Sequence, residues 1–445
     1  MVRVCLATVH CEPLFTPLAL LYLERYLVER KGVPADAIDI AEFSLEHDTV
    51  SSIVERILRH EPDIVGFSCY VWSVTTIMEV VRTIKDARPK ITVVLGGPEV
   101  GPVAMSVLEA YPCVDAIVKS EGEIPFGEIV DRLSQDRGLH DVRGICFREA
   151  IDADAVVDTG DAPLLRDVNE LPSPHLTFDP ARSRRRRIIC LETQRGCVFK
   201  CNFCFYNKDL SLRNRRFDPD RVKRELLRWL DEDVYSIYLM DPVFNLNAAR
   251  AKDICRFVAE HNARRVSFHT EIWAEFMDDE LAALMRAANF TFVEVGLQTT
   301  DVTALATVER RLKLKQFVDG LECLKRHAIE FELQLIYGLP GETPESFRNS
   351  LDFAVSLDPP KLAVFPLMVL PGTELWRKAD ALGLEFEPTP PYYLRSHFTM
   401  TREDIAHGWD IVEALQRSGD SRPERLRALA SVHSVRLQAD LAKSG

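Results

Sequence analysis

The 445-residue sequence has no hydrophobic run that approaches the ~20 residues needed to span a bilayer, and its first residues show no secretory signal pattern. It also lacks a basic excess. Its formal net charge is −13, which argues against nucleic acid as the main partner because phosphate binding needs a basic face. The run Arg184–Arg187 is the exception, and we interpret it as a solvated linker segment. These absences predict a cytoplasmic protein in a reducing environment that acts on neither membranes nor nucleic acids.

The cysteines are unevenly distributed. Of the eleven, six stand alone inside or beside apolar runs, which predicts that they are buried as small apolar residues: Cys5, Cys69, Cys146, Cys190, Cys255 and Cys323. Three others, Cys197, Cys201 and Cys204, have the spacing C-x3-C-x2-C. Zinc is the alternative for such a group, but structural zinc usually needs a second pair or histidines nearby, and none follows Cys204 closely. Three thiolates can ligate three irons of a [4Fe–4S] cube and leave one iron open, whereas an electron carrier normally has four cysteines.

The stretch from Glu192 to Cys204 resembles the cluster motif of the radical S-adenosylmethionine (SAM) superfamily, and the resemblance covers roughly residues 185–375. It implies a [4Fe–4S] cluster whose open iron binds SAM. One electron then cleaves SAM to a 5′-deoxyadenosyl radical that abstracts hydrogen from an unactivated carbon of a small-molecule substrate. An electron donor such as flavodoxin or ferredoxin is implied as a partner, while the oligomeric state stays open.

Strand and helix patterns alternate through the first third of the chain. Apolar strands are predicted at 2–9, 38–43, 64–68, 92–97 and 114–119, with helices between them. This alternation predicts a doubly wound, mostly parallel sheet, in which ligands bind beyond the carboxyl ends of the strands. Small, acidic and aromatic residues stand at those ends: Tyr70, Trp72, Gly96, Gly97, Glu99, Glu121 and Gly122.

In this order, ahead of the cysteine motif, these loops resemble the cobalamin-binding domain of B12-type radical SAM proteins over about residues 1–140. The resemblance implies that the glycines and glutamates contact cobalamin, with Tyr70 and Trp72 beneath the corrin. Ordinary aromatic packing at a strand end is the alternative for these two side chains. No Asp-x-His-x-x-Gly pattern follows the first strand, where the nearest histidine is His10. Its absence is compatible with bound cobalamin and with an empty, purely structural domain.

Strand–helix units resume after a connector rich in Asp and Pro at 141–186. Six units are predicted at 187–375, with strands that begin near residues 188, 236, 266, 291, 331 and 362. Six units are fewer than the eight of a full barrel and match the partial (β/α)6 barrel of radical SAM proteins. Residues 376–445 are predicted to form a short helical C-terminal segment that covers the barrel mouth or forms a dimer surface.

Reactive residues in such a barrel lie at the carboxyl ends of its strands. The resemblance implies that SAM contacts the following residues: Phe203, Tyr206, Asp241, Glu294, Gln298, Ile336 and Gly338. Asp241 stands where the family commonly has Gly-Gly-Glu, and those glycines are missing here. His269 and Glu271 alternate on the third strand and therefore share one face. With Tyr337 they are the candidates for substrate binding and for proton or hydrogen transfer. For each polar residue, a structural hydrogen bond at the barrel mouth is the alternative.

These features predict a radical SAM enzyme of antibiotic-type natural-product biosynthesis that uses cobalamin to methylate an unactivated carbon. The alternative is a cobalamin-independent radical dehydration of a diol in an aminoglycoside-type sugar. It is motivated by the short C-terminal segment, the missing cobalt-ligand motif and the acidic charge. A non-catalytic cobalamin or redox sensor is a third hypothesis, against which the complete cysteine motif argues.

Overall fold

A computed structural model describes residues 2–11, 14–149, 155–177, 187–207 and 214–418. Of the basic run, only Arg187 falls within these ranges, and the predicted C-terminal segment lies outside them beyond residue 418. The chain divides into two compact units, residues 1–191 with 215–235 and residues 192–214 with 236–445. In the described ranges, no helix is both long and apolar enough to cross a membrane.

The first unit contains a seven-stranded sheet in the order β2-β1-β3-β4-β5-β6-β7. Its strands are β1 Val4–His10, β2 Ile38–Ser44, β3 Ile64–Ser68, β4 Thr92–Gly96, β5 Ala116–Val118, β6 Ile145–Arg148 and β7 Val156–Asp158. The strands β1 to β5 pair in parallel, which confirms the predicted sheet, whereas β6 and β7 are antiparallel. These last two strands lie inside the segment predicted as a connector, because strands of four and three residues are too short to show a clear alternation.

Helices cover both faces of this sheet. They are α1 Leu18–Lys31, α2 Val50–Arg59, α3 Val74–Ala87, α4 Ala104–Ala110 and α5 Glu123–Ser134, and α6 Pro219–Leu230 belongs to the same unit. Alternate residues of β1 enter different cores, Val4 and Leu6 one of them and Cys5 and Ala7 the other. A strand that is buried on both faces reads as a continuous apolar run, as in the sequence.

The six isolated cysteines of the two units are all buried, as predicted.

The second sheet has six strands in the order β13-β12-β11-β10-β9-β8. They are β8 Ile188–Leu191, β9 Ser236–Leu239, β10 Ser267–Ile272, β11 Phe290–Gln298, β12 Glu330–Tyr337 and β13 Lys361–Pro366, each where it was predicted. The strands β9 to β13 pair in parallel. Buried and half-buried residues alternate along β10, β11 and β12, so one face packs on helices and the other, which we call the lumen face, carries the polar side chains.

The helices of the second unit are α7 Ala248–His261, α8 Asp279–Ala287, α9 Val302–Thr307, α10 Leu314–Arg326, α11 Pro344–Ser356, α12 Glu374–Arg377 and α13 Arg402–Ser418. Two short antiparallel strands, β14 Glu385–Phe386 and β15 Leu394–Ser396, lie between α12 and α13. The backbone N–H of Leu394 donates to the carbonyl of Leu367 at 3.0 Å, which holds this segment beside the end of β13.

Candidate active site

The three motif cysteines line one cavity that is partly open to solvent, and its empty space, with that open solvent included, is about 690 Å³. Its walls are residues 197–206, which we call the cysteine loop, and the lumen-face ends of β10, β11 and β12. Four of the seven SAM candidates line it, Phe203, Tyr206, Glu294 and Gln298, and so does Glu271, a candidate for substrate binding or proton transfer. The structure therefore brings most of the candidate SAM residues together around the cysteines.

The cysteine loop is held by hydrogen bonds to two other segments. Asn202, which is fully buried, donates its backbone N–H to the carbonyl of Val308 at 3.1 Å and its side-chain N–H to the carbonyl of Thr307 at 2.7 Å. Its own carbonyl accepts from the N–H of Leu375 at 2.8 Å. These hydrogen bonds tie the cysteine loop to the end of α9 and to the start of α12.

The surroundings of the thiols fit an iron–sulfur cluster. Burial raises the pKa of Cys204 to about 12 and also raises that of Cys197, so both thiols stay protonated at neutral pH unless a metal takes the proton's place. Backbone N–H groups of Phe199 and Tyr206 donate to the sulfurs of Cys197 and Cys204, respectively. In the described part of the chain, no three His, Cys, Asp or Glu side chains converge on one metal ion. The three cysteines of a cubane cluster need not converge on one metal ion, because each cysteine binds a different iron.

Asp241 lies behind the cavity wall, with 1% of its surface exposed. One carboxylate oxygen accepts the N–H groups of Thr193 at 2.7 Å and Gln194 at 3.2 Å, and the other accepts the Thr193 hydroxyl at 2.6 Å. Burial raises its pKa to about 6. The next two residues, Pro242 and Val243, line the cavity, whereas the Asp241 carboxylate binds the residues that lead into the cysteine loop.

Two glutamates face each other across neighbouring strands of the lumen face. Glu271 on β10 is in register with Glu294 on β11. The Tyr238 hydroxyl donates to Glu271 at 3.2 Å, and the side-chain N–H of Gln334 donates to Glu294 at 2.9 Å. Burial, followed by the negative charge of Glu294, raises the pKa of Glu271 to about 7. A carboxyl group with this pKa can accept or donate a proton near neutral pH.

His269 shares the lumen face with Glu271, as the alternation predicted, but it does not line the cavity. Its ring stacks on Tyr238 with 4.1 Å between centroids, and burial lowers its pKa to about 4, so it is neutral at pH 7. Tyr238 is a site residue that the sequence did not predict. Tyr238 stands two residues after Ser236 on β9, so the two side chains share the half-buried face of this strand. This alternation could have identified Tyr238 as a lumen-face residue.

Gln298 reaches the cavity through an irregular strand end. The register of β11 shifts between Gly296 and Gln298, and Gln298 has a left-handed backbone with φ of +69°. A Cβ on Gly296 would lie 2.3 Å from the side-chain nitrogen of Gln298, so the glycine leaves the space that this side chain occupies. Bulges and left-handed residues are concentrated at functional sites, where they redirect a side chain.

The structure does not bring Ile336, Tyr337 or Gly338 to the cavity. Tyr337 follows the lumen-face residue Ile336, so its side chain points to the helix-covered face. There its ring packs edge-on against Phe347, and its hydroxyl donates to the carbonyl of Asp404 at 2.5 Å. Gly338 has φ of +88°, and its N–H donates to the Glu342 carboxylate at 3.1 Å.

Arg310 lines the cavity but was not predicted as a site residue from the sequence. It follows α9 and lies outside any motif, so only the folded chain places it beside the cysteine loop. The carbon of its guanidinium lies 4.2 Å from the centroid of the Trp273 ring, and Nη2 donates to the carbonyl of Gly296. Nη1 lies 3.8 Å from the sulfur of Cys201.

At the carboxyl edge of the first unit's sheet, Tyr70 and Trp72 stack in parallel with centroids 4.6 Å apart, and Trp72 is 45% exposed. Gly97 has φ of +103°, and a Cβ there would lie 2.6 Å from the carbonyl of Cys69, so this loop packs directly on the one before Tyr70. Gly96 precedes it, and the buried Glu99 follows. A flat aromatic pair, of which Trp72 is exposed and Tyr70 is half-buried, beside closely packed glycines fits the face of a large ring such as a corrin.

Glu121 and Gly122 follow β5 at the same edge, where Gly122 precedes α5. Arg215 binds Glu121 with both ends of its guanidinium, at 2.9 and 2.5 Å. The Glu121 carboxylate therefore already has a strong partner within the first unit.

Two family descriptions match this chain. The radical SAM superfamily matches residues 191–354, and the B12 binding domain matches residues 4–130. The chain is a radical SAM protein with a B12-binding domain. Its radical SAM domain implies a [4Fe–4S] cluster and SAM, and its first domain implies cobalamin.

Proteins with known names are similar to this chain. The chain is 27% identical to an uncharacterized methyltransferase, PH0819, of Pyrococcus horikoshii, over 86% of this chain and 84% of that one. It is 28% identical to the cobalamin-dependent radical SAM methyltransferase TokK of Streptomyces tokunonensis, over 89% of this chain and only 60% of TokK. The structure of TsrM from Kitasatospora setae, with cobalamin and a [4Fe–4S] cluster bound, superposes with a TM-score of 0.69. That match covers 88% of this chain and 78% of TsrM at 19% identity, so it bears on the fold alone.

Proposed function

We propose that this radical SAM protein is a cobalamin-dependent C-methyltransferase that acts on a small-molecule precursor of an antibiotic-type natural product. The proposal depends on the cavity that Cys197, Cys201 and Cys204 line together with the candidate SAM-binding residues. The same chain also has a B12-binding domain. TokK, which is named as a cobalamin-dependent radical SAM methyltransferase, supports it. When bound, the cluster and SAM would supply the substrate radical, and cobalamin would supply the methyl group.

The residues of the cavity and their neighbour Tyr238 would have different roles. Phe203, Tyr206, Glu294 and Gln298 would hold SAM, because they line the cavity with the cysteines. Glu271, whose pKa of about 7 suits proton exchange, would bind a polar group of the substrate or remove its proton. Tyr238 would orient Glu271 through its hydrogen bond.

The first unit would bind cobalamin through the edge that carries Tyr70, Trp72 and Gly97. The aromatic pair offers a flat surface in place of the histidine that other cobalamin proteins use beneath the metal. The loop of Gly96, Gly97 and Glu99 and the loop of Glu121 and Gly122 would contact the rest of the ligand with backbone N–H groups.

Product stoichiometry tests the proposal. Methyl transfer consumes SAM twice, so the anaerobically reconstituted protein with substrate should form S-adenosylhomocysteine and 5′-deoxyadenosine in equal amounts, and the product should gain CH2. Deoxyadenosine without S-adenosylhomocysteine, together with a product that has lost water, would instead establish radical dehydration. A protein that cleaves SAM but shows no corrin absorbance after incubation with cobalamin and gel filtration would also exclude cobalamin-dependent methylation.

A further inference from the structure

Arg310 brings a positive charge to one of the three motif cysteines. Its Nη1 lies 3.8 Å from the sulfur of Cys201, which is the distance of a weak N–H···S hydrogen bond. Its Nη2 donates to the carbonyl of Gly296, and the guanidinium lies on the face of Trp273. The three contacts fix the plane of the guanidinium, so the N–H groups that face the sulfur are held in place before any ligand binds.

The backbone that carries Arg310 is tied to the cysteine loop. Asn202, the residue after Cys201, donates to the carbonyls of both Thr307 and Val308. The N–H of Arg310 donates to the carbonyl of Leu305 at 2.9 Å, which joins it to the end of α9. Since Cys201 and Arg310 are anchored to the same short segment, their separation is set by the fold rather than by a flexible side chain alone.

The donors to the three sulfurs differ in charge. Cys197 and Cys204 receive neutral backbone N–H groups, from Phe199 and Tyr206, whereas Cys201 faces a cation. A cluster gains one negative charge when it is reduced. A fixed positive donor at its sulfur therefore stabilises the reduced form more than the oxidised form, and hydrogen bonds to the sulfurs are among the factors that set cluster potentials.

We propose that Arg310 is a positioning residue that raises the reduction potential of the cluster through the Cys201 sulfur and so makes the electron easier to deliver. This inference rests on the cluster of the proposed function but not on methyl transfer. The chemistry needs only a one-electron donor of the flavodoxin or ferredoxin class, and no atom is transferred.

The experiment is a potentiometric titration of the reconstituted full chain without SAM, followed by EPR of the reduced cluster. Arg310→Gln removes the charge and keeps a polar side chain. Arg256→Gln is the matched control, because Arg256 is exposed on α7 and pairs with Glu280 on the outside of the same unit. At the potential where the wild type is half reduced, we expect the reduced-to-oxidised ratio of Arg310→Gln to fall about tenfold, which equals about 59 mV for a one-electron couple. Arg256→Gln should leave the ratio unchanged.

Arg310→Lys keeps the charge but lacks the fork that reaches both Gly296 and Cys201, so its potential should lie between those of the wild type and Arg310→Gln. If Arg310→Gln does not retain iron, Arg310→Met, which also removes the charge, takes its place, and a potential equal to that of the wild type in this variant overturns the inference. An Arg310→Gln protein with full iron content and an unchanged potential also overturns it, even if SAM binds more weakly. A wild type that assembles no cluster would instead refute the cluster itself.

Discussion

Replacing Asp241 distinguishes two roles for this residue, a contact to SAM and a support of the cysteine loop. Its carboxylate accepts three hydrogen bonds, two from backbone N–H groups and one from the Thr193 hydroxyl, and it is almost completely buried. Asp241→Ala removes every acceptor. Asp241→Asn keeps the oxygen that the two backbone groups share, while the Thr193 hydroxyl can turn to accept from the new amide.

The expected magnitude follows from two opposing contributions. Three buried donors without acceptors cost about 2 kcal/mol each, or about 6 kcal/mol in total. Removing the buried charge returns about 3 kcal/mol, because the pKa is raised from 3.8 to about 6 and each unit is worth about 1.4 kcal/mol. Asp241→Ala should therefore lose about 3 kcal/mol, which corresponds to a fall in Tm of about 6–12 °C for a domain of 150–250 residues. Asp241→Asn should match or exceed the wild-type Tm at pH 7.

Thermal unfolding followed by circular dichroism measures the stability change, and equilibrium dialysis measures SAM binding to the reconstituted protein. We expect Asp241→Asn to bind SAM within a few-fold of the wild type. The reasoning is refuted if Asp241→Ala unfolds at the wild-type temperature while Asp241→Asn binds SAM more than about tenfold more weakly, since loss of a charge-assisted hydrogen bond of about 1.5–3 kcal/mol has that effect.

Two further predictions concern single side chains. His175 is buried and accepts a hydrogen bond from Trp229, and burial lowers its pKa from 6.5 to about 4, so its protonation favours the unfolded chain. His175 alone should contribute a loss of about 2 kcal/mol between pH 7 and pH 5, so the stability of His175→Asn should rise by about 2 kcal/mol relative to that of the wild type over this range in urea titrations; parallel pH profiles would contradict the assignment. Tyr337→Phe removes the bond to Asp404 and should cost about 1 kcal/mol while SAM cleavage is retained. Loss of deoxyadenosine formation in a folded Tyr337→Phe protein would instead support a role in radical chemistry.

Features that depend on local spacing were predictable from the sequence. The cysteine spacing identified the loop, and period-two alternation placed His269 and Glu271 on one face of β10. By the same alternation, Tyr337 and Ile336 lie on opposite faces of β12, and the Tyr337 ring packs against Phe347. The sequence could not show which of the two residues lies on the lumen face, because the neighbouring strands determine that.

Features that depend on tertiary contacts were not predictable. Arg310 and Cys201 are more than a hundred residues apart in sequence, and no spacing relates them. Asp241 occupies the sequence position of a SAM-binding motif, yet its carboxylate turns to Thr193 because three buried donors converge on it. The strands β6 and β7 were not predicted within the connector, because four and three residues are too few to show the alternation that identifies a strand.

The central claim is that Cys197, Cys201 and Cys204 hold a [4Fe–4S] cluster with one iron open to SAM. Iron and sulfide analysis with EPR of the reduced, anaerobically reconstituted chain tests it directly, with Cys201→Ala as the variant and Cys255→Ala, a buried cysteine of α7, as the control. We predict one four-iron cluster per chain in the wild type and in Cys255→Ala, an EPR signal that changes on addition of SAM, and loss of both in Cys201→Ala. A folded Cys201→Ala protein with wild-type iron content and a SAM-responsive signal would contradict the account.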